Sequence, residues 1–210
     1  MELKHFFKEV IQRLKNKNLR FAIAGGLVAS LYRNQERLTK DLDLLILAPT
    51  KTQEVAEKIV KSFDLKPNII RKADLEGGPH FAVKRKNTEP YMIVGRSKDN
   101  TEIGLDFILP SMPWFEEALN RAETNCVDFG FGPIPSLKVE DVIIAKFYSA
   151  NNDVTRFKDL DDLQSIFLAS HELDFDYLCG QMQRLNLKVP KQIEASVPKV
   201  LLLISKKIKS

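Results

Sequence analysis

The spacing of apolar residues changes part-way along the 210 residues of the chain, from a mixture of strand and helix patterns to helix patterns alone. Few folds are compatible with this change. In the first half, short apolar runs of strand length alternate with helical patterns and turn-rich stretches, which indicates a mixed sheet flanked by helices. After Pro135 the pattern is helical. We therefore predict an α/β (α+β) fold, with a mixed-sheet domain over residues 1–112 and a mainly helical C-terminal domain over residues 113–210.

Periodicity and turn residues place the individual elements of this fold. We interpret Gly25-Gly26 as a turn between a strand and a helix, and residues 130–133 as a loop. Strands are predicted over residues 20–24, 42–47, 68–71, 81–85, 91–94, 102–108 and 126–129. Helices are predicted over residues 3–14, 27–33, 52–63, 114–121, 139–150, 157–169, 175–184 and 192–205.

The composition argues against several classes of protein. Cys126 and Cys179 lie far apart without CxxC spacing, so neither a zinc site nor a disulfide framework is predicted, and we expect both thiols to be reduced and buried. Charges interrupt the apolar residues of the N-terminal segment, unlike those of a signal peptide. Apolar stretches fall far short of the roughly 18 residues that a membrane span needs. We expect a soluble, cytoplasmic protein.

The net charge of +4 is unevenly distributed along the chain. From Arg184 onward, seven basic residues face the single acid Glu194, which gives this segment a net charge of +6. Such a segment would suit nucleic acid, because each neutralised phosphate releases condensed counterions. It would equally suit a solvated terminal helix whose basic end matches the helix dipole. Both interpretations stay open at the level of sequence.

Two acidic residues stand at the start of an apolar strand. Side chains two residues apart on a strand point the same way, so Asp41 and Asp43 share one face while Leu42 and Leu44 take the other. Two carboxylates in an apolar run repel each other and are costly to desolvate unless a cation compensates. Magnesium is usually shared between one or two carboxylates and substrate phosphates. The pair therefore predicts a magnesium site.

A third acid, Asp106, lies in another predicted buried strand. If that strand is a neighbour of the first in the sheet, the three carboxylates can hold two Mg²⁺ ions roughly 4 Å apart. We therefore predict Asp41, Asp43 and Asp106 as metal ligands.

Further candidate residues surround the acid pair. Gly25-Gly26 lies between a strand and a helix, where small residues let a phosphate approach the backbone and the helix supplies N–H donors, although most such pairs are simple turns. Arg37 and Thr39 immediately precede the acids and can fix the carboxylates or a triphosphate. The alternative for Arg37 is an exposed loop cation.

In order and spacing, Gly25-Gly26, Arg37-x-Thr39-x-Asp41-Leu42-Asp43 and the later Asp106 resemble the DNA polymerase beta-like nucleotidyltransferase superfamily. The resemblance implies a mixed sheet flanked by helices, with residues 1–112 as the catalytic domain. It also implies that the first two acids bind both metals and that the third completes one metal site. One metal would activate the acceptor hydroxyl and the other would stabilise the leaving pyrophosphate.

The second half of the sequence points to one group within this superfamily. Residues 136–146 and the Arg156-x-Lys158-Asp159-x-x-Asp162 segment look like the helical segments of the AbiEii-like, abortive-infection nucleotidyltransferases. On that basis Lys146 is expected to meet the triphosphate and Asp159 to be required for activity. Without the resemblance, the acids after Arg156 are equally explained by the helix dipole, which favours acids in a first turn.

The resemblance also implies a function, with NTP as substrate and two Mg²⁺ ions as cofactors. We expect transfer of an NMP from an NTP to an acceptor hydroxyl of RNA, protein or a small molecule, in a toxin with an antitoxin partner. Many superfamily members have Ser after the glycines, where this chain has Leu27, so a hydroxyl that would contact phosphate is missing. The alternative is therefore a catalytically degenerate fold that acts as a nucleotide- or partner-binding regulatory module.

Overall fold

The computed structural model describes residues 3–35, 39–72, 89–97, 103–153, 155–169 and 171–208. The strands are β1 (Arg20–Ile23), β2 (Asp41–Leu47), β3 (Leu65–Arg71), β4 (Pro90–Ser97), β5 (Gly104–Ile108), β6 (Cys126–Asp128) and β7 (Pro133–Pro135). The helices are α1 (Leu3–Asn16), α2 (Gly25–Tyr32), α3 (Thr52–Lys61), α4 (Phe115–Ala122), α5 (Val139–Asn152), α6 (Phe157–Leu168), α7 (Phe175–Arg184) and α8 (Lys199–Lys207), with a 3-10 helix over Lys191–Ser196.

Five strands form a mixed sheet in the order β1-β2-β5-β4-β3. Strands β2 and β5 are parallel, whereas β1 with β2, β5 with β4, and β4 with β3 are antiparallel. The predicted mixed sheet is therefore confirmed. The parallel pair lies between β1 and β4, so its apolar side chains are buried and its acidic ones lie near the middle of the sheet.

Helix α1 illustrates how the core forms. Its apolar residues recur at helical spacing and are buried as one stripe, while lysines occupy the exposed face. Phe6 of this stripe meets Phe63 after α3 edge-to-face, with ring centroids 5.4 Å apart. The buried apolar residues form one cluster that runs from α1 through the sheet to Leu201 in α8. Each fully buried large side chain contributes about 1.5–3 kcal/mol.

A short hairpin and a polar network connect the sheet to the C-terminal helices. The N–H of Leu137, just after the β6–β7 hairpin, donates to the carbonyl of Ile23 at the end of β1, at 3.0 Å. In α5, buried Asp141 accepts from Arg121 at 2.9 Å and from the Tyr177 hydroxyl at 2.5 Å. These contacts hold α4, α5 and α7 together. The division at residue 112 stays a prediction, and the core is continuous across it.

The structure corrects several local predictions. Gly25 and Gly26 form the first turn of α2 rather than a preceding turn, and the predicted loop 130–133 ends in the unpredicted strand β7. The helix predicted over residues 192–205 is interrupted, because Pro198 lacks the N–H that a continuous helix requires. The predicted strand 81–85 lies outside the described residues.

The prediction that both cysteines are buried is also wrong. Both are free thiols, but Cys126 is exposed and Cys179 is half-buried. Cys126 begins the short strand β6, which pairs with β7 in a separate two-stranded sheet and has its first and last side chains exposed. In the described part of the chain, every helix is too short or too polar to cross a membrane.

Candidate active site

The three predicted acids come together on neighbouring strands. Strands β2 and β5 are in register so that Asp43 pairs with Asp106 and Asp41 pairs with Gly104. Leu42 and Leu44 are fully buried on the opposite face, as the alternation predicts. Because residues two apart on a strand share a face, the register places all three carboxylates on one side of the sheet.

The acids strongly affect one another. Burial, followed by the negative charges of Asp106 and Asp41, raises the pKa of Asp43 to about 6. Burial also raises the pKa of Asp106, although Arg96 opposes the shift by stabilising the carboxylate. Such elevated values mark a place where negative charge is costly and where a bound cation lowers the cost. Perturbed carboxylates of this kind are typical of functional sites.

The two glycines allow Asp43 to lie against the start of α2. Gly25 has a left-handed φ of +60°, and a Cβ there would lie 1.9 Å from Asp43 Oδ2. The Gly26 N–H donates to the same oxygen at 3.4 Å. The glycine pair therefore lets a helix N-terminus, with its unpaired N–H groups, meet the acid at the backbone.

A substitution at Gly25 tests this close approach. We expect Gly25→Ala to destabilise the protein by more than about 1 kcal/mol, because the methyl group adds left-handed strain and displaces the Asp43 carboxylate. The matched control is Gly180→Ala in α7, where an added Cβ meets nothing within 4 Å and should stabilise the helix by roughly 0.5–1 kcal/mol. Urea denaturation measures both effects, and similar changes for the two variants would contradict the interpretation.

Arg96 of β4 was not predicted as part of the site. Its guanidinium donates to both carboxylate oxygens of Asp106, with NH2 at 2.9 Å from Oδ2. The same NH2 lies 3.9 Å from Asp41 Oδ2. This contact could not be predicted from sequence, because it depends on the register between β4 and β5, which is set only in the folded sheet.

The predicted pair of Lys146 and Asp159 is part of a buried ion network. Lys146 Nζ lies 3.0 Å from Asp159 Oδ1 and 2.5 Å from Asp162 Oδ2. Asp159 also accepts from Arg156 Nε at 2.7 Å, and Asp162 accepts from Arg33 at the end of α2. The network joins α2, α5 and α6, and sequence reasoning missed the roles of Asp162 and Arg33.

Helix α2 connects this ion network to the acids of the sheet, because Gly26 at its start donates to Asp43 and Arg33 after its end binds Asp162. Burial raises the pKa of Asp43, and the positive charge of Lys146 partly opposes that rise.

Three further residues were singled out from the sequence: Thr39, Arg37 and Leu27. The Thr39 hydroxyl donates to the backbone carbonyl of Asp41 at 3.3 Å and supports the start of β2. Arg37 lies outside the described residues. Leu27, at the position of the expected hydroxyl, packs against the core.

Asp41, Asp43 and Asp106 are suitable ligands for a divalent cation, because they are carboxylates that lie on the same face of two paired strands. Carboxylate oxygens are the ligands that Mg²⁺ prefers, and the mutual repulsion of these acids favours a cation between them. Among the residues that the structure describes, no three acidic, histidine or cysteine side chains already converge as a metal site. In the arrangement described here, the Asp106 carboxylate faces Arg96.

A family model described as "Nucleotidyl transferase AbiEii toxin, Type IV TA system" matches residues 10–194. The chain belongs to this AbiEii family. It is therefore a nucleotidyltransferase enzyme, and the resemblance drawn from its motifs is confirmed. A search among functionally curated proteins found no significant match.

Comparison with solved structures gives one alignment good enough to support a shared fold and a second, weaker likeness. The crystal structure of ANT(2″)-Ia in complex with adenylyl-2″-tobramycin aligns with a TM-score of 0.55 and 16% identity, covering 88% of this chain and 96% of that chain. An antigenic nucleotidyltransferase-like protein from Paracoccidioides brasiliensis aligns with a TM-score of 0.49 and 18% identity, covering 92% and 97%. The first alignment shows that the AbiEii-family chain has a nucleotidyltransferase fold.

Proposed function

We propose that this enzyme transfers an NMP from an NTP to a hydroxyl of RNA, in a reaction that depends on divalent metal ions held by Asp41, Asp43 and Asp106. The proposal rests chiefly on the register that pairs Asp43 with Asp106 and places Asp41 on the same face. Three acids on one face, two of them with a pKa raised by burial, are a poor arrangement for stability. They are a suitable arrangement for binding cations together with a triphosphate.

The three acids would hold two Mg²⁺ ions. When bound, such ions neutralise the charge that develops on the transferred phosphoryl group and on the leaving pyrophosphate. The chain supplies the ligands on rigid β-strands, which suits a reaction whose rate depends on positioning.

The cations of the second half would bind the triphosphate. Lys146 is held in place by Asp159 and Asp162, while Arg156 is held by Asp159. Helix α2 links these cations to the acids, because Gly26 at its start donates to Asp43 and Arg33 after its end binds Asp162, which also pairs with Lys146. We assign Asp159 the role of positioning these two cations. The N–H groups at Gly25 and Gly26 would provide further donors.

Transfer itself exchanges one bond for another. The acceptor oxygen forms a bond to the α-phosphorus while the bond from that phosphorus to the pyrophosphate oxygen breaks. Pyrophosphate leaves with its electron pair, and the hydroxyl proton passes to a base. Asp106 is our candidate for this base, because the strand register places its carboxylate beside Asp43 on the face where the acceptor would bind.

The choice of RNA follows from the basic C-terminal segment. Lys191, Lys199, Lys206 and Lys207 are all exposed there, in a segment of net charge +6. Exposed cations of this density suit a phosphate backbone. We further propose that the enzyme acts as a toxin in the cytoplasm and is restrained by an antitoxin, as the family description indicates for its relatives.

The test uses each of the four NTPs labelled at the α-phosphorus. The purified protein is incubated with Mg²⁺ and, separately, with total cellular RNA, cellular protein and a small-molecule extract. We expect label in RNA, and we expect EDTA to abolish its transfer. The Asp41→Asn/Asp43→Asn double variant, which keeps the side-chain shapes, should transfer no label.

Other results would change the proposal in defined ways. Label in protein or in small molecules would overturn RNA as the acceptor while leaving the chemistry in place. Full activity of the double variant or in EDTA would overturn the metal assignment. Absence of label in every fraction, with intact NTP binding, would favour the regulatory module instead.

A further inference from the structure

The guanidinium of Arg96 lies between two of the three acids, Asp106 and Asp41. It binds both oxygens of Asp106 in the fork geometry that gives strong, specific pairing. It also approaches Asp41, with 3.9 Å between NH2 and Oδ2. One guanidinium thus partly neutralises two of the three acids.

The sheet leaves room for this contact. Arg96 pairs with Gly104 across β4 and β5. A Cβ at position 104 would lie 2.2 Å from Asp41 Oδ1 and 2.5 Å from Arg96 NH1. Glycine at this position therefore opens the space in which the guanidinium meets the acids, and a larger residue would push Arg96 and Asp41 apart.

A metal ion and Arg96 compete for the same oxygens. A guanidinium stays charged at all physiological pH values, so it cannot relieve the competition by losing a proton. Asp106 has both oxygens engaged, and a divalent ion would need at least one of them. Arg96 is nearly half exposed, with 45% of its side chain accessible, so it has solvent into which it can withdraw.

We propose that Arg96 is an exchangeable counter-ion, which holds Asp106 in the metal-free enzyme and releases at least one of its oxygens when a metal ion enters. This inference rests on the metal site of the proposed function. Arg96 then stabilises the acids while the site is empty and raises the metal concentration needed to fill it. It is a positioning residue and has no contact with the reacting atoms.

The test is metal binding, measured without turnover. Isothermal titration of Mn²⁺ is compared for the wild type and Arg96→Gln, alongside thermal unfolding in EDTA. We expect Arg96→Gln to bind Mn²⁺ about 10-fold more tightly. We also expect its metal-free form to unfold at a lower temperature than the wild type. Arg96→Lys keeps the charge but loses the fork, so its metal affinity should lie between the two.

The control is Arg20→Gln. Arg20 also binds a carboxylate, that of Glu123 at 2.7 Å, but at the opposite end of β1 from the acids. Its replacement should leave Mn²⁺ affinity unchanged. A second measurement, NMR of arginine Nε–Hε groups in the wild type, should show the Arg96 signal shifting when Mg²⁺ is added.

The outcomes separate this inference from the proposed function. Weaker or equal Mn²⁺ binding by Arg96→Gln, or an Arg96 signal unchanged by saturating Mg²⁺, would overturn the counter-ion role. If neither the wild type nor Arg96→Gln binds Mn²⁺, or if Asp43→Asn binds it as well as the wild type, the metal site itself is wrong.

Discussion

Replacing Asp43 with asparagine is expected to lower nucleotidyl transfer by more than about 100-fold, since losing a metal ligand exceeds the usual effect of losing the groups around it. The same change is expected to raise the melting temperature of the metal-free protein. Asp43 carries charge in a buried place beside Asp106 and Asp41, which raises its pKa to about 6. Asparagine keeps the shape and can still accept from the Gly26 N–H, but it removes the charge.

The opposite signs of the two effects make this prediction specific. A residue needed only for folding would lose activity and stability together. Transfer of label and thermal unfolding in EDTA near neutral pH measure the two properties. Asp176→Asn, at an exposed position in α7, is the matched control and should change neither. A less stable Asp43→Asn protein would show that Asp43 supports the fold rather than straining it.

Replacing Asp162 with alanine is expected to destabilise the protein by about 3–5 kcal/mol, the usual cost of removing one partner from a buried ion pair. Asp162 is fully buried and accepts from both Lys146 and Arg33. Alanine leaves these two cations facing a cavity. Lys146 keeps Asp159 at 3.0 Å and Arg33 keeps Asp161 at 2.9 Å, so the network is weakened rather than abolished.

The neighbouring acid provides the control. Asp161 binds the same Arg33, but 66% of its side chain is exposed, so Asp161→Ala should cost only about 0–1 kcal/mol. Urea denaturation gives both free energies of unfolding, and unchanged m-values would confirm that the native state stays compact. Equal costs for the two variants would mean that burial does not decide the strength of this network.

The central part of the site could be predicted because it depends on local geometry. The alternation of a strand places Asp41 and Asp43 on one face whatever the rest of the fold does. A lone acid in a second apolar strand then has few suitable neighbours, and the observed pairing of Asp43 with Asp106 confirms that expectation. The helices were predicted for the same reason, since their apolar stripes are periodic.

The partners of these residues could not be predicted, because they are distant in sequence. Arg33 and Asp162 are 129 residues apart, and neither has a local pattern that points to the other. Arg96 meets Asp106 only because β4 and β5 pair in one particular register. Pro198 was a local signal that the helix prediction over residues 192–205 overlooked. The roles of the individual site residues and the division at residue 112 stay predictions.

The contact between Leu137 and Ile23 bears on how the protein is made. Strand β1 is an edge of the sheet, and the carbonyl at its end accepts from the N–H of Leu137, which follows the β6–β7 hairpin. An open strand edge is a template for pairing with another chain. During synthesis this end of β1 stays uncovered until residue 137 has been added, by which point about two-thirds of the polypeptide exists. Nascent or truncated chains that stop earlier would thus associate through this edge, so aggregation competes with folding until the hairpin arrives.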